Sequence, residues 1–377
     1  MKRIFKNKAI VAGCVGLVLS AQANACDSYL LEQASGQPES VKFARDCKIQ
    51  DQYEKLKNIF SKHGRNIVNV NEYKSLRFID RNSWEKNKNN RQLSPLYIYE
   101  PAPDTWNVWS KGIALTVEKD LQKGRLERED LFNKDYFSYM NKVLLTDGDV
   151  SVKDPNINKE KLPGTFRDYM DYSSGFCDQS NSQYDVKAKS SQKSLQLMQK
   201  RWESAYGSTF INLVKKHDLE GFITPSLVAN MNVAPYSCGA NLSGTFVKYT
   251  PGEQVEQNMN WLILFTKENM RLYKNKKAIM PPIELAALVQ KWFVTVHPFA
   301  DGNGRTSRAV QDVLLAHFGM PFAPGGDLQN DIFSDYDQYI EDTYTATQNM
   351  LNKLERCAQI LEDNSALPFE CKDVNNL

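Results

Sequence analysis

The chain has 377 residues and nearly balanced charge, with 47 basic against 45 acidic side chains. This balance is unlike the strongly basic composition of proteins that bind nucleic acid or anionic membranes, so we expect neither as a partner. The length allows two domains, each with a sizeable core.

Residues 1–25 are predicted to be a secretory signal. Four basic residues precede an apolar run over residues 9–19, which is too short to span a bilayer. Residues 23–25 read Ala-Asn-Ala, a cleavage site that predicts a mature start at Cys26. Cleavage would leave 43 basic and 45 acidic residues, a net charge of −2. We therefore expect a periplasmic or secreted protein without a membrane span; a lipoprotein, from the lipobox-like residues 11–14, is the alternative.

The cysteines agree with export. Cys14 would leave with the signal, and an even number would remain, which suggests disulfides in an exported chain. Short loops favour Cys26–Cys47 and Cys357–Cys371, which would leave Cys177 to pair with Cys238. Buried free thiols are the alternative, and the sequence does not settle the connectivity.

Residues 26–190 are predicted to form a mainly helical accessory region. Helix candidates are residues 52–63, 109–122 and 130–145, separated by irregular, proline-containing stretches. Residues 173–192 are rich in Ser, Gln and Asn and are predicted to be a linker. No combination of residues in this region suggests catalysis, so we assign it no function.

Residues 191–377 are predicted to be the catalytic domain. A strand or hairpin is indicated near residues 245–249, because β-prone residues lie there between Gly244 and a Pro-Gly turn. The other predicted elements are helices at residues 194–217, 254–273, 283–296, 305–318 and 336–361. Residues 283–296 are apolar on so much of their surface that we expect a buried central helix.

The most informative stretch follows that helix at residues 297–308, which read HPFADGNGRTSR. Gly302 and Gly304 permit a tight turn at the start of the next helix, where main-chain N–H groups favour phosphate. Arg305 and Arg308 are three residues apart, on one face of the first turn, and arginine suits bidentate phosphate contacts. We therefore expect an anion site here.

Two further residues of this stretch suggest chemistry at a phosphorus atom. Asp301 is a hard oxygen ligand beside the expected phosphates, as a Mg²⁺ site requires. His297 precedes the turn and can take a proton from a hydroxyl near neutral pH. The combination points to nucleotide chemistry.

The stretch matches the Fic motif HxFx(D/E)GNGRxxR without a gap, and the chain resembles the Fic-domain protein AMP-transferases. These enzymes move AMP from ATP to a hydroxyl side chain of another protein. The resemblance is specific over about a dozen residues, plausible over residues 194–361, and does not cover residues 26–190. The matching positions are His297, Phe299, Asp301, Gly302, Asn303, Gly304, Arg305 and Arg308.

The resemblance implies a mainly α Fic-like helical bundle with a short β-hairpin flap at Gly244, Thr245, Phe246 and Val247. The flap would cover the nucleotide and pair with an extended segment of the target. The resemblance also implies ATP as substrate and Mg²⁺ as cofactor.

The roles of the motif residues follow from the same resemblance. His297 would be the base and Asp301 the Mg²⁺ ligand. Gly302, Asn303, Gly304, Arg305 and Arg308 would bind the nucleotide. Phe299 would pack into the core.

Regulation and donor stay open. The inhibitory pattern (S/T)xxxE(G/N) of many Fic proteins is approached only at residues 28–33, which end in Gln, and we take this as coincidence. The enzyme would then be constitutively active or inhibited by a separate partner protein. The alternatives for function are another donor, such as UTP or a CDP-alcohol, and a silent peptide-binding module. Export suggests an effector or toxin.

Overall fold

A computed structural model describes residues 39–65, 67, 132–145, 164–168, 173–178, 184–216, 228–230, 243–323, 328–368 and 371. The predicted signal at residues 1–25 and the helix candidate at residues 109–122 lie outside the described residues, as do Cys26 and Cys238.

The described residues are mainly helical, as predicted. The helices are α1 (Glu39–Lys62), α2 (Lys134–Leu145), α3 (Tyr184–Lys216), α4 (Gly252–Lys274), α5 (Pro282–Val296), α6 (Asn303–His317), α7 (Leu328–Phe333) and α8 (Tyr336–Glu362). The strands are β1 (Ser173–Asp178), β2 (Val228–Asn230) and β3 (Ser243–Lys248). The sequence placed α4, α5 and α8 within two residues at each end, whereas α1 begins well before the predicted start and α7 was not predicted.

The predicted linker at residues 173–192 is wrong in the structure. Its first part is β1, which pairs antiparallel with β3 from Ser173↔Lys248 to Asp178↔Ser243. Its last part belongs to α3, which begins at Tyr184. Main-chain hydrogen bonds hold a paired strand, so a stretch rich in Ser can form one once a partner is present.

The predicted hairpin flap is part of a three-stranded antiparallel sheet with strand order β1-β3-β2. All four predicted flap residues lie in β3, the central strand. Asn230 of β2 pairs with Phe246, so both edges of β3 are paired from Phe246 to Lys248. A target segment cannot add directly to β3 at those positions while this sheet is intact.

The core is built around α5, in which every residue is buried, as the sequence predicted. Trp292 of α5 stacks on Trp261 of α4 with ring centroids 5.2 Å apart. The cluster of buried apolar side chains also includes Phe60 of α1 and Phe137 of α2. The described helices α1 and α2 of the predicted accessory region therefore share a core with the catalytic part.

One buried carboxylate ties three helices together. Glu284, in the first turn of α5, accepts from Lys42 of α1 at 3.0 Å and from Arg201 of α3 at 2.5 Å. In the turn that opens α5, Asp46 of α1 accepts the main-chain N–H of Ile283 at 2.9 Å. The start of α5 is thus held by two carboxylates, one its own and one from α1.

Cys357 and Cys371 form a disulfide, as the short loop between them suggested. Cys47 is also disulfide-bonded, to a cysteine whose side chain is not described. Within the described ranges, the helices are too short or too polar to cross a membrane.

Candidate active site

His297 follows the last residue of α5 and caps the helix in the left-handed conformation, with φ 55° and ψ 57°. Its main-chain N–H donates to the carbonyl of Phe293 at 2.9 Å. This conformation is unfavourable for a residue with a Cβ, so surrounding contacts must hold it. The left-handed conformation ends α5 and turns the chain sharply at His297, the residue predicted to be the base.

The His297 imidazole is buried against Tyr249, which follows β3. The two rings stack with centroids 3.8 Å apart and an angle of 15° between their planes. Nδ1 lies 3.2 Å from the Val294 carbonyl oxygen, which can only accept, so Nδ1 carries the proton and Nε2 the lone pair. Burial lowers the pKa of His297 to about 3, with a smaller contribution from the positive charge of Arg167. The imidazole is therefore neutral at physiological pH and able to accept a proton at Nε2.

The loop between α5 and α6 is closed by Asn303. Its side chain accepts the Phe299 N–H at 2.8 Å and donates to the Phe299 carbonyl at 2.7 Å. This side chain therefore braces the loop, and what Asn303 offers to an anion is its main-chain N–H. Phe299 is buried, as predicted.

Gly302 is the N-cap of α6, with φ 75° and ψ 10°. This is the left-handed region that glycine adopts without strain, and it points the first N–H groups of α6 out of the turn. The Gly302 N–H itself is taken by Asp301 Oδ1 at 2.5 Å. The N–H groups of the following helical turn lie where the sequence predicts an anion site, which stays a prediction.

The Asp301 carboxylate is exposed at the mouth of this turn. Among the described residues, no group of three or more His, Cys, Asp or Glu side chains could hold a metal ion. A single carboxylate beside an anion site suits Mg²⁺, which keeps several waters and takes its other ligands from substrate phosphates. The donor set therefore fits the predicted metal with Asp301 as its protein ligand.

Arg308 lies over the start of the same helix. A Cβ added to Gly304 would be 3.4 Å from Arg308 Nη1, so the guanidinium lies beside the anion site. Nη1 also donates at 2.9 Å to the carboxylate of Asp331 in α7. Asp331 is fully buried, which raises its pKa, while the charge of Arg308 opposes that rise. Of Arg305, only the main chain is described, within α6.

Two polar side chains from outside the predicted catalytic region donate hydrogen bonds to the motif. Asn141 of α2 donates to the Asp301 carbonyl at 2.9 Å and to Thr306 Oγ1 at 3.1 Å. Arg167 donates from Nε to the His297 carbonyl at 2.6 Å and from Nη2 to the carbonyls of Val296 and Thr250. Nothing in their local sequence singles out either residue, because its importance depends on a contact with a distant part of the chain.

The structure thus brings His297, Asp301, Gly302, Asn303, Gly304 and Arg308 together around the start of α6. Tyr249 is a third residue that the sequence did not identify; its position directly after the β-prone stretch was the one available indication. The predicted flap residues lie in β3, which leads to Tyr249.

Comparison with known proteins gives an independent assignment. The profile of the Fic/DOC family matches residues 217–315, a range that includes β2, β3, α4, α5 and most of α6. The protein adenylyltransferase Fic of Nematostella vectensis is 39% identical over 69 residues, 18% of this chain and 15% of that protein. The corresponding protein of Drosophila ananassae is 50% identical over 42 residues, 11% and 8% of the two chains.

A relative with a different stated activity is also similar. The uridine 5'-monophosphate transferase of Xanthomonas campestris is 33% identical over 84 residues, 21% of this chain and 15% of that protein. Among solved structures, a Fic domain containing signalling protein from Bacteroides thetaiotaomicron has a TM-score of 0.43 and 12% identity, covering 86% of this chain and 100% of that chain.

Each of these three relatives is matched over 15% or less of its own length. The similarity to these relatives is therefore local, and the profile match includes the motif. Residues 217–315, which include the ungapped motif at residues 297–308, therefore match the Fic/DOC family and form a Fic domain within this chain.

Proposed function

We propose that the protein is a nucleotidyltransferase that moves AMP from ATP to the hydroxyl of a Tyr, Thr or Ser side chain on another protein. The observation that carries the proposal is a buried His297, with Nδ1 on the Val294 carbonyl, placed next to a helix N-terminus that carries a glycine turn and the guanidinium of Arg308. The family assignment and the adenylyltransferase relatives support the same reaction.

The reaction can be written with these residues. The target hydroxyl gives its proton to Nε2 of His297, and its oxygen attacks the α-phosphorus of ATP in line. A new P–O bond forms as the bond to pyrophosphate breaks, and pyrophosphate leaves. The first N–H groups of α6 and the Arg308 guanidinium stabilise negative charge on the phosphates. A positioned general base contributes roughly 10²–10⁴-fold.

Mg²⁺ on Asp301, when bound, would supply positive charge to the donor phosphates and help to orient them. The exposed position of Asp301 leaves room for phosphate oxygens and waters as the other ligands.

The test is mass spectrometry of a protein lysate incubated with the purified chain, Mg²⁺ and one nucleotide at a time. We expect the mass of AMP on a hydroxyl side chain with ATP, and no added mass with the His297→Ala variant. Addition of UMP from UTP, or of a phospho-alcohol from a CDP-alcohol, would replace the donor and keep the chemistry. No modification with any donor would favour the silent peptide-binding module.

UTP is the second donor to test because one relative is a uridine 5'-monophosphate transferase. The motif residues contact phosphates in the proposed reaction, so they do not distinguish the two bases. Competition between ATP and UTP in one reaction gives the preference directly.

We also propose export to an oxidising compartment, with cleavage after residue 25. The Cys357–Cys371 disulfide and the disulfide at Cys47 support this proposal. Because a bacterial periplasm offers little ATP, the protein would act in or beside another cell. Mass analysis of the exported protein without reductant should find Cys26 at the N-terminus and at least one disulfide; six alkylatable thiols would contradict it.

A further inference from the structure

Arg167 occupies an unusual position relative to the central helix. It is 2% exposed, and its guanidinium donates to the carbonyls of Val296 and His297, at 2.9 and 2.6 Å. Carbonyls at the C-terminal end of a helix have no intrahelical donor and lie at the negative end of the helix dipole. The planar guanidinium thus caps α5 at its junction with the base.

The same guanidinium also contacts the main chain beside the ring that stacks on the imidazole. It donates to the carbonyl of Thr250, the residue after Tyr249. Since Tyr249 stacks on the His297 ring, Arg167 fixes both the main chain of the base and the main chain next to its stacking partner. A planar group with several N–H donors can hold carbonyls from two segments at once, which an ammonium group does less well.

Arg167 is itself held in place by a short strap, residues 164–168. Phe166 forms an isolated β-bridge with Phe299, and the Arg167 N–H donates to the Pro298 carbonyl at 2.8 Å. At the other end, Gly164 has φ 80°, and a Cβ there would lie 2.6 Å from the Ser138 carbonyl oxygen of α2. The strap therefore runs from α2 to the motif loop with little freedom to shift.

We infer that Arg167 is a positioning residue for the base: its fork holds His297 in the left-handed conformation and keeps its ring stacked on Tyr249 with Nε2 directed for proton transfer. This inference rests on the proposed function. It adds a residue from outside the family-matched range, residues 217–315, to the active site.

The variant Arg167→Lys distinguishes the effect of the planar guanidinium donors from the effect of the positive charge. Lysine keeps a positive charge but not the planar set of donors. We expect kcat for AMP transfer to fall at least about tenfold, because a misplaced base is less effective, while KM for ATP stays within about threefold. Arg271→Lys is the matched control; Arg271 is about half exposed and pairs with Glu268 in its own helix, and kcat should be unchanged.

A second measurement does not need turnover. Stacking on Tyr249 should shift the His297 ring protons upfield in NMR spectra, and the His297→Ala variant identifies these signals among the four histidines. In Arg167→Lys the ring signals should lose this shift while the remaining spectrum stays that of a folded protein. Gly164→Ala, which displaces the strap without altering Arg167, should change the same signals.

The outcomes are distinct. A lower kcat with changed His297 ring signals supports the inference. Unchanged kcat and ring signals overturn it, and so does an equal loss in kcat, ATP binding and melting temperature with unchanged ring signals, because that is a general structural effect. If the wild-type protein transfers no nucleotide, the proposed function fails, and the ring signals alone decide whether Arg167 positions His297.

Discussion

The family-matched residues 217–315 and the described residues between 39 and 168 both reach the motif loop, but they contribute different groups. The matched residues supply the groups that would meet the substrate: the Nε2 lone pair of His297, the Asp301 carboxylate and the start of α6. The N-terminal residues supply hydrogen bonds to main-chain atoms of the motif, through Asn141 and Arg167. Chemistry is therefore local in the sequence, whereas the positioning of that chemistry is shared across the fold.

The largest effect should come from the base itself. His297→Ala should lower AMP transfer by about 10²–10⁴-fold, which is the contribution of a positioned general base. ATP binding, measured by calorimetry, should be nearly unchanged. His317→Ala, at the opposite end of α6, is the control and should keep activity. Transfer at the wild-type rate by His297→Ala would show that His297 is not the base.

The next effect tests the N-terminal region. Asn141 is fully buried and bonds the Asp301 carbonyl, Thr306 Oγ1 and the Gly164 N–H. Asn141→Ala should lower the free energy of unfolding by about 1–3 kcal/mol for each buried group left without a partner. It should also lower AMP transfer.

Asn352→Ala is the matched control for that experiment. Asn352 is exposed on α8 and accepts from Gln348 in the same helix. Surface changes of this kind fall within about 0.5 kcal/mol. Equal stability for both variants, by urea denaturation, would mean that α2 does not support the motif.

A smaller effect concerns the donor phosphates. Arg308→Ala should weaken ATP binding roughly ten- to a hundredfold, since a charge-assisted contact contributes about 1.5–3 kcal/mol. AMP binding should be spared, because AMP lacks the outer phosphates that Arg308 would contact. The matched variant is Asp331→Asn, which removes the same ion pair but keeps the guanidinium. Calorimetry on the His297→Ala background excludes turnover. If both variants lost the same affinity for ATP, or if Arg308→Ala weakened ATP and AMP binding equally, Arg308 would shape the pocket without contacting the outer phosphates.

The smallest effect compares one buried titratable group from each region. The pKa of His297 is lowered by burial to about 3, so the unfolded chain takes up a proton first and stability falls as pH drops below 6.5. The pKa of Asp46 in α1 is raised by burial to about 7. Its folded form takes up the proton first, so its contribution is present below pH 3.8 and is lost as pH rises towards 7.

Between pH 4.5 and 6.5 the two contributions therefore have opposite signs. Each is at most about 1.4 kcal/mol per pH unit. Denaturation curves at three pH values should show Asp46→Asn losing more stability with acid than the wild type, and His297→Asn losing less. Lys42, Arg45 and Glu284 carry the charges that act on Asp46, and they are unchanged in the wild type and in His297→Asn. If stability depended on pH equally in all three proteins, the shifted pKa values of both Asp46 and His297 would be contradicted.

The sequence-based predictions succeeded where the signal is local and failed where an element depends on a distant partner. Helices α4, α5 and α8 were predicted because a periodic apolar face and a proline or turn at the boundary are local signals. The linker at residues 173–192 was wrong because β1 has no strong strand propensity and exists through pairing with β3. The flap was predicted as a hairpin and not as a three-stranded sheet, because the partners of β3, β1 and β2, are distant in the sequence and local patterns do not show the pairing.

The sequence by itself determined the chemical groups of the site, because a base, a glycine turn and a helix start within twelve residues are placed together by local geometry. Only the tertiary structure decided what holds them. Asn141 and Asp301 are 160 positions apart, and Arg167 and His297 are 130 apart. A hydrogen bond over such a separation forms only where packing around α5 brings the partners together, and no local pattern encodes it.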